Sequence, residues 1–107
     1  MADAQLEILA LEGFEWDENK SKANFKKHGY DFEDASQVFY GPIVLRRSDR
    51  NNEERWIAVG LLDDRLIAVI FTRRDEIIRI ISARRARKHE ERTYRHAEMG
   101  RSPEGQD

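Results

Sequence analysis

Apolar positions alternate with polar ones or run together from Ile43 to Ala83, and thin out to helical spacing on either side. Ile43 to Arg47 reads as a short strand suited to a sheet edge. Arg55 to Leu62 alternates Ile57, Val59 and Leu61 against Trp56, Ala58 and Gly60. Arg65 to Thr72 is nearly all apolar, the pattern of a central strand covered on both faces. Ile77 to Ala83 is the last strand. Turn chemistry separates them: Arg50-Asn51-Asn52-Glu53, then Asp63-Asp64, then Arg73 to Glu76. Such short turns imply an antiparallel meander of three or four strands.

Helical patterns flank the meander. Asp17 to His28 opens on a good N-cap, carries Glu18 in its first turn and stops at Gly29. Its apolar content is low, and Trp16, Lys20, Asn24 and either Lys27 or His28 form one stripe that suits the edge of a site. Asp31 caps a second helix to Phe39, with Phe32, Ala35, Val38 and Phe39 on one face and Gly41-Pro42 as its stop. A last helix is expected from Arg84 to about Glu98, with Ser82 as N-cap and Arg87–Glu91 and Glu91–Arg95 as i, i+4 pairs. Leu6 to Leu11 fits an edge strand, a short helix or a frayed leader. The expected organisation is a leader over 1–13 (strand or disordered), one α+β domain over 14–98, and a flexible tail over 99–107 containing Pro103 and Gly105. Its helices are expected on one face of a twisted antiparallel sheet.

The chain has 107 residues, enough for one modest core, and no cysteine, so neither a disulfide framework nor a thiolate metal site is available. No apolar run approaches a membrane span, and Met1-Ala2-Asp3-Ala4 carries no basic stretch of the signal-peptide kind, so a cytoplasmic protein without a membrane role is expected. Net charge is -2, but its distribution is uneven. Residues 1–18 carry only acidic charges and residues 20–28 only basic ones before His28; Arg79, Arg84, Arg85, Arg87, Lys88, Arg92 and Arg95 crowd residues 79–96. A strand running into a helix whose first turn is filled with arginines reads as an anion site, phosphate being the usual anion; the plainer reading is a solvated basic face.

His28, His89 and His96 are not completed by a carboxylate pattern, so no metal is expected, and no Gly-rich phosphate loop is present. What remains is Arg, Lys, His, Glu and Tyr. RNA cleavage needs little more, because the 2′-hydroxyl attacks its own phosphate. The enzyme need only move protons and stabilise the charge on phosphorus, without a cofactor.

Three groups of residues resemble the BrnT toxins: Phe14-Glu15-Trp16-Asp17 with Lys20, Asn24 and Lys27-His28-Gly29; Glu54-Arg55-Trp56 followed by Gly60; and Arg79-Ile80-Ile81-Ser82-Ala83-Arg84-Arg85-Ala86 with Glu90 and Tyr94. The resemblance spans Phe14 to about Tyr94. It implies a RelE-like fold, with two N-terminal helices, an antiparallel sheet and a C-terminal helix. It implies the toxin of a type II toxin–antitoxin system, an endoribonuclease that inhibits translation. The implied partner is a BrnA-type ribbon-helix-helix antitoxin, which binds operator DNA so that the complex represses its own operon.

Carried over to this sequence, Arg79 and Arg84 are the expected phosphate and transition-state stabilisers, with Arg55 assisting. His28, Glu54 and Tyr94 compete for the acid–base role. Lys20, Lys27, Arg85, Arg87 and Lys88 are the expected RNA-binding residues. Each has a structural alternative: an ion pair for Arg79, a solvated helix position for Arg84, dipole stabilisation for His28, packing for Tyr94, and pairing with Arg87 or a motif arginine for Glu90. Trp16 and Trp56 read as core or rim aromatics. The rival reading is a non-catalytic nucleic-acid-binding or antitoxin-partner subunit.

Overall fold

The computed structural model describes residues 4–9 and 11–101, the side chain of residue 101 excepted. The expected tail Ser102 to Asp107 lies outside the described residues. Ten elements follow in order: β1 (Leu6–Glu7), β2 (Gly13–Glu15), α1 (Glu18–His28), α2 (Phe32–Ser36), a 3-10 turn (Gln37–Tyr40), β3 (Ile43–Arg47), β4 (Trp56–Leu62), β5 (Arg65–Arg74), β6 (Ile77–Arg85) and α3 (Lys88–Arg101).

The helix signals act as read. Asp17 accepts the N–H groups of Asn19 and Lys20 at 2.8 and 3.2 Å. Gly29 ends α1 at φ 86°, its N–H donating to Phe25 O at 2.8 Å. Asp31 accepts the N–H of Asp34 at 2.7 Å. The hairpin turns use Asn and Asp because both central residues need positive φ: Asn51 and Asn52 stand at 53° and 62°, Asp63 and Asp64 at 50° and 68°.

Among the described residues the sheet has six strands in the order β1-β3-β4-β5-β6-β2, rather than three or four. The meander β3 to β6 is antiparallel, β1 adds antiparallel to β3, and β2 adds parallel to β6 through Gly13↔Ile77 and Glu15↔Arg79. The two outer strands have two and three residues, too short for a period to register.

Helices cover both faces, not one. On the first face, Phe32, Ala35, Val38 and Phe39 close over Ala58, Ile67, Val69, Phe71, Ile78 and Ile80. On the second, Tyr94 and Ala97 of α3 pack with Val44, Ile57, Val59, Leu66 and Ala68. β5 feeds alternate residues to each core, which is why it reads as continuously apolar. Gly60 lets the 3-10 turn sit close: a Cβ there would stand 3.0 Å from Ile43 Cγ2 and 3.2 Å from Val38 Cβ.

The last strand outruns its expected end. β6 continues to Arg85 and α3 starts at Lys88, so Arg84 and Arg85 are strand residues. Ala-Arg-Arg-Ala is a good helical string, but pairing with β5 through Ala68↔Arg84 and Ile67↔Arg85 outweighs propensity. Ser82 therefore does not cap α3; its hydroxyl donates to Asn24 Oδ1 at 3.3 Å.

Candidate active site

Helix α1 buries no apolar stripe. It buries Ser21 and Asn24, while Phe25 is 56 % exposed. Ser21 Oγ accepts the N–H of Phe32 at 2.9 Å. Asn24 binds the edge of β6 as another strand would: its Nδ2 donates to Ala83 O at 2.9 Å and its Oδ1 accepts the N–H of Ala83 at 3.2 Å. Nδ2 also donates to Tyr30 O at 2.7 Å. β2 pairs with β6 only as far as Arg79, so this amide takes up hydrogen bonds that the sheet leaves open further along. The contact carries the last turn of α1, with Lys27 and His28, to the rim of a cavity on the second face of the sheet.

That cavity has a volume of about 490 Å³. Ile57, Ile70 and Ile81 give it an apolar floor, and Arg46, Ile57, Ile70 and Ser82 form one cross-strand row through successive pairings. Arg46, Ser48 and Arg50 follow at every second position along β3 and its turn. Arg55 enters from the start of β4, Arg84 from the end of β6, and Arg87 from just before α3. The lining thus holds Lys27, Arg46, Arg50, Arg55, Arg84, Arg87 and His28, and no carboxylate. Among the described residues no carboxylate pairs with Lys27, Arg50 or Arg87. A positive field concentrates here although the chain is net acidic.

A β-bulge decides which arginines meet. Between Ile70 and Phe71 the register shifts, leaving Ile81 without an opposite residue. Arg79 pairs with Thr72 and Arg84 with Ala68. Thr72 and Ala68 are an even number apart, so Arg79 and Arg84, an odd number apart, still share the second face. Their surroundings differ. Arg79 Nη1 lies 2.9 Å from Glu15 Oε2 of β2, and Arg74 Nη1 lies 3.7 Å from the same oxygen. Arg79 does not line the cavity.

Beneath the arginines lies Glu90, with its side chain 2 % exposed. Arg84 grips it with both nitrogens, Nη1 to Oε1 at 2.8 Å and Nη2 to Oε2 at 3.0 Å. Arg46 Nη2 donates to Oε2 at 3.3 Å, and the backbone N–H of Arg87 donates to Oε1 at 2.8 Å. Burial pushes the carboxyl up, but the hydrogen bonds from Arg84 and Arg87, the charge of Arg84 and the hydrogen bond from Arg46 together bring it down to about 2. The start of α3 is therefore not an open anion site. Its own Glu90 fills the position, as a carboxylate in a first turn should.

Of the expected acid–base candidates, only His28 lines the cavity. Glu54 points to the other side of its strand end and pairs with Arg47 at 3.3 Å, beside the stacking of Arg47 on Trp56. Tyr94 is buried in the α3 core, with Arg95 over its ring at 5.8 Å. Lys20, Arg85 and Lys88 are exposed and do not line the cavity. Arg46, Ser48 and Arg50 were not read as site residues from the sequence. Their every-second spacing, in phase with buried Val44, is the signal that marks them. Trp16 packs edge-on against Phe32 at 6.5 Å, a core-rim aromatic. No group of three or more His, Cys, Asp or Glu is placed to hold a metal ion among the described residues.

A small α+β domain with a cationic cavity, an imidazole at the rim and an apolar floor offers a positive surface suited to an anionic chain. Residues 16–90 match the family of the ribonuclease toxin, BrnT, of type II toxin–antitoxin systems. This chain belongs to that family, and with it come a ribonuclease activity and a protein antitoxin as partner. Every residue lining the cavity lies inside the matched stretch. No curated protein matches the chain. No helix among the described residues is long and apolar enough to cross a membrane.

Proposed function

We propose that the second-face cavity is where this toxin binds and cleaves RNA, without a metal. The 2′-oxygen attacks the adjacent phosphorus, the bond from phosphorus to the 5′-oxygen breaks, and a 2′,3′-cyclic phosphate and a 5′-hydroxyl end result. His28 takes the proton of the 2′-hydroxyl, and a proton returns to the departing 5′-oxygen from the same imidazolium or by way of Lys27. Imidazole is the ordinary side chain for proton transfer near neutral pH. Arg46, Arg55 and Arg84 surround the phosphate and stabilise its added charge. Arg50, Lys27 and Arg87 hold neighbouring phosphates. Lys20, Arg85 and Lys88, exposed outside the cavity, attract the RNA backbone; Arg79, which does not line the cavity, has a supporting role.

The observation that carries this reading is a lining of six Lys and Arg with one His and no carboxylate. It sits in a family of ribonucleases on a sheet flanked by helices, as a RelE-like ribonuclease would be. The cognate antitoxin is read as BrnA-type, its ribbon-helix-helix domain binding operator DNA, with the pair acting in the cytoplasm to restrain translation.

Induced expression of wild type beside His28→Ala/Arg84→Ala tests it, scoring growth and the 5′-ends of cellular RNA. New 5′-hydroxyl ends and growth arrest, both absent in the folded double variant, are expected. Equal cleavage by the two proteins would move the active site elsewhere. Bound but uncut RNA with wild type would favour a non-catalytic nucleic-acid-binding subunit.

A further inference from the structure

We propose that Glu90 is a positioning residue for RNA cleavage, fixing two cavity arginines from strands that two others separate in the sheet. The inference rests on the ribonuclease reading of the cavity. A buried ion pair is weak evidence for stability, since apolar residues of similar volume usually do as well in its place. Glu90 is buried to 2 % and receives four hydrogen bonds, three of them from guanidiniums that line the cavity. Arg84 comes from β6 and Arg46 from β3, with β4 and β5 between them. One carboxylate sets the plane of the first and the reach of the second.

The two-pronged grip on Arg84 removes the rotation that a long side chain would otherwise have, and rotation is what a charge-stabilising group must not lose time to. Arg84 has five N–H donors in a planar fork and commits two to Glu90. Nη1 also donates to Arg85 O at 3.3 Å, so Glu90 and the strand backbone together fix the guanidinium plane at the cavity that Arg84 lines. The fourth hydrogen bond, from the Arg87 N–H, ties the same carboxylate to the start of α3. The helix that covers half of this face therefore also sets the arginine geometry on the other half.

Orientation and attraction separate experimentally. Glu90→Gln keeps one oxygen, where Oε1 accepts the Arg87 N–H and Arg84 Nη1, but puts a donor where Oε2 accepts Arg84 Nη2 and Arg46 Nη2, and it removes one negative charge. Single-turnover cleavage of a short RNA is measured beside the affinity for the all-2′-deoxy oligonucleotide of the same sequence, which lacks the nucleophile. Cleavage is expected to slow at least tenfold while affinity for the deoxy oligonucleotide holds or rises. A rate within twofold of wild type overturns the proposal. Rate and affinity falling together, in step with the folded fraction, mark Glu90 as purely structural and overturn it too.

If Glu90→Gln does not fold, Glu90→Asp decides: it keeps the charge but draws the carboxylate back by one methylene from Arg84 and Arg46. A tenfold slower rate at retained affinity supports positioning, and a wild-type rate overturns it. Wild type that cuts no RNA overturns the ribonuclease reading itself, a result distinct from either.

Discussion

The two faces of one sheet have opposite fates. The first is closed by α2 and the 3-10 turn over a dry layer of Phe32, Phe39, Ile67, Val69 and Phe71, each 1 % exposed or less. Phe39 and Phe71 meet edge to face at 5.1 Å. The second carries α3 over β1, β3 and β4, leaving Ile57, Ile70 and Ile81 as the floor of a basic cavity walled by residues of β3, β6 and the end of α1. Both faces come from the same strands, one residue to each face in turn. Covering a face makes a core; leaving half of it uncovered next to arginines makes a basic cavity.

The comparison breaks most sharply at His28. His28→Ala should slow RNA cleavage by roughly 10²- to 10⁴-fold and shift stability by no more than about 0.5 kcal/mol. Cleavage rate and a denaturant midpoint on the same preparation check both. Phe71→Ala should do the reverse, costing about 3–5 kcal/mol of stability through the cavity it leaves on the closed face. Rates per folded molecule should stay near wild type in conditions where it remains folded, and a loss of rate in that folded variant would show that the two faces are not separable.

Glu90 ties the second face to pH. Its folded carboxyl is depressed to about 2 from an ordinary value of 4.5. Its stabilising contribution is therefore complete above pH 4.5 and is lost as pH falls from 4.5 toward 2. The size is on the order of 3 kcal/mol, and Glu90→Gln should flatten that part of a stability-versus-pH curve. An unchanged acid slope in the variant would assign the effect to other carboxylates.

Smaller effects sharpen the same contrast. Gly60→Ala should cost roughly 1–3 kcal/mol, because the added Cβ presses Ile43 and Val38 on the closed face; thermal or urea unfolding reads it. Arg79→Ala should cost less than about 1 kcal/mol, its partner Glu15 being partly solvated. It should change cleavage only a few-fold, far less than Arg84→Ala. Equal losses from the two would bring Arg79 into the reacting site.

Much of the frame was legible in advance. Caps at Asp17 and Asp31, the stop at Gly29, the turn pairs Asn51-Asn52 and Asp63-Asp64, and the double-sided apolar run of β5 are local signals, and local physics answered them. The buried positions Phe32, Ala35, Val38 and Phe39 followed from spacing alone, although the α-helix expected to Phe39 ends at Ser36 and a 3-10 turn carries the last two. An edge strand was one of three readings for Leu6 to Leu11, and β1 takes up its first two residues; β2 was hidden because three residues carry no period. The end of β6 was hidden because Ala83-Arg84-Arg85-Ala86 satisfies helix propensity, while the ladder that overrules it belongs to another strand.

The site was half legible. Lys27, His28, Arg55, Arg84 and Arg87 line the cavity; Glu54 and Tyr94, equally plausible by residue type, do not. Residue type and motif say which side chains can do phosphate chemistry, since that is a property of the groups themselves. Whether they meet depends on strand parity, on a bulge that adds one residue to β6, and on an asparagine that fastens α1 to a sheet edge 59 positions away. These are relations between distant segments, and only the folded chain brings them together.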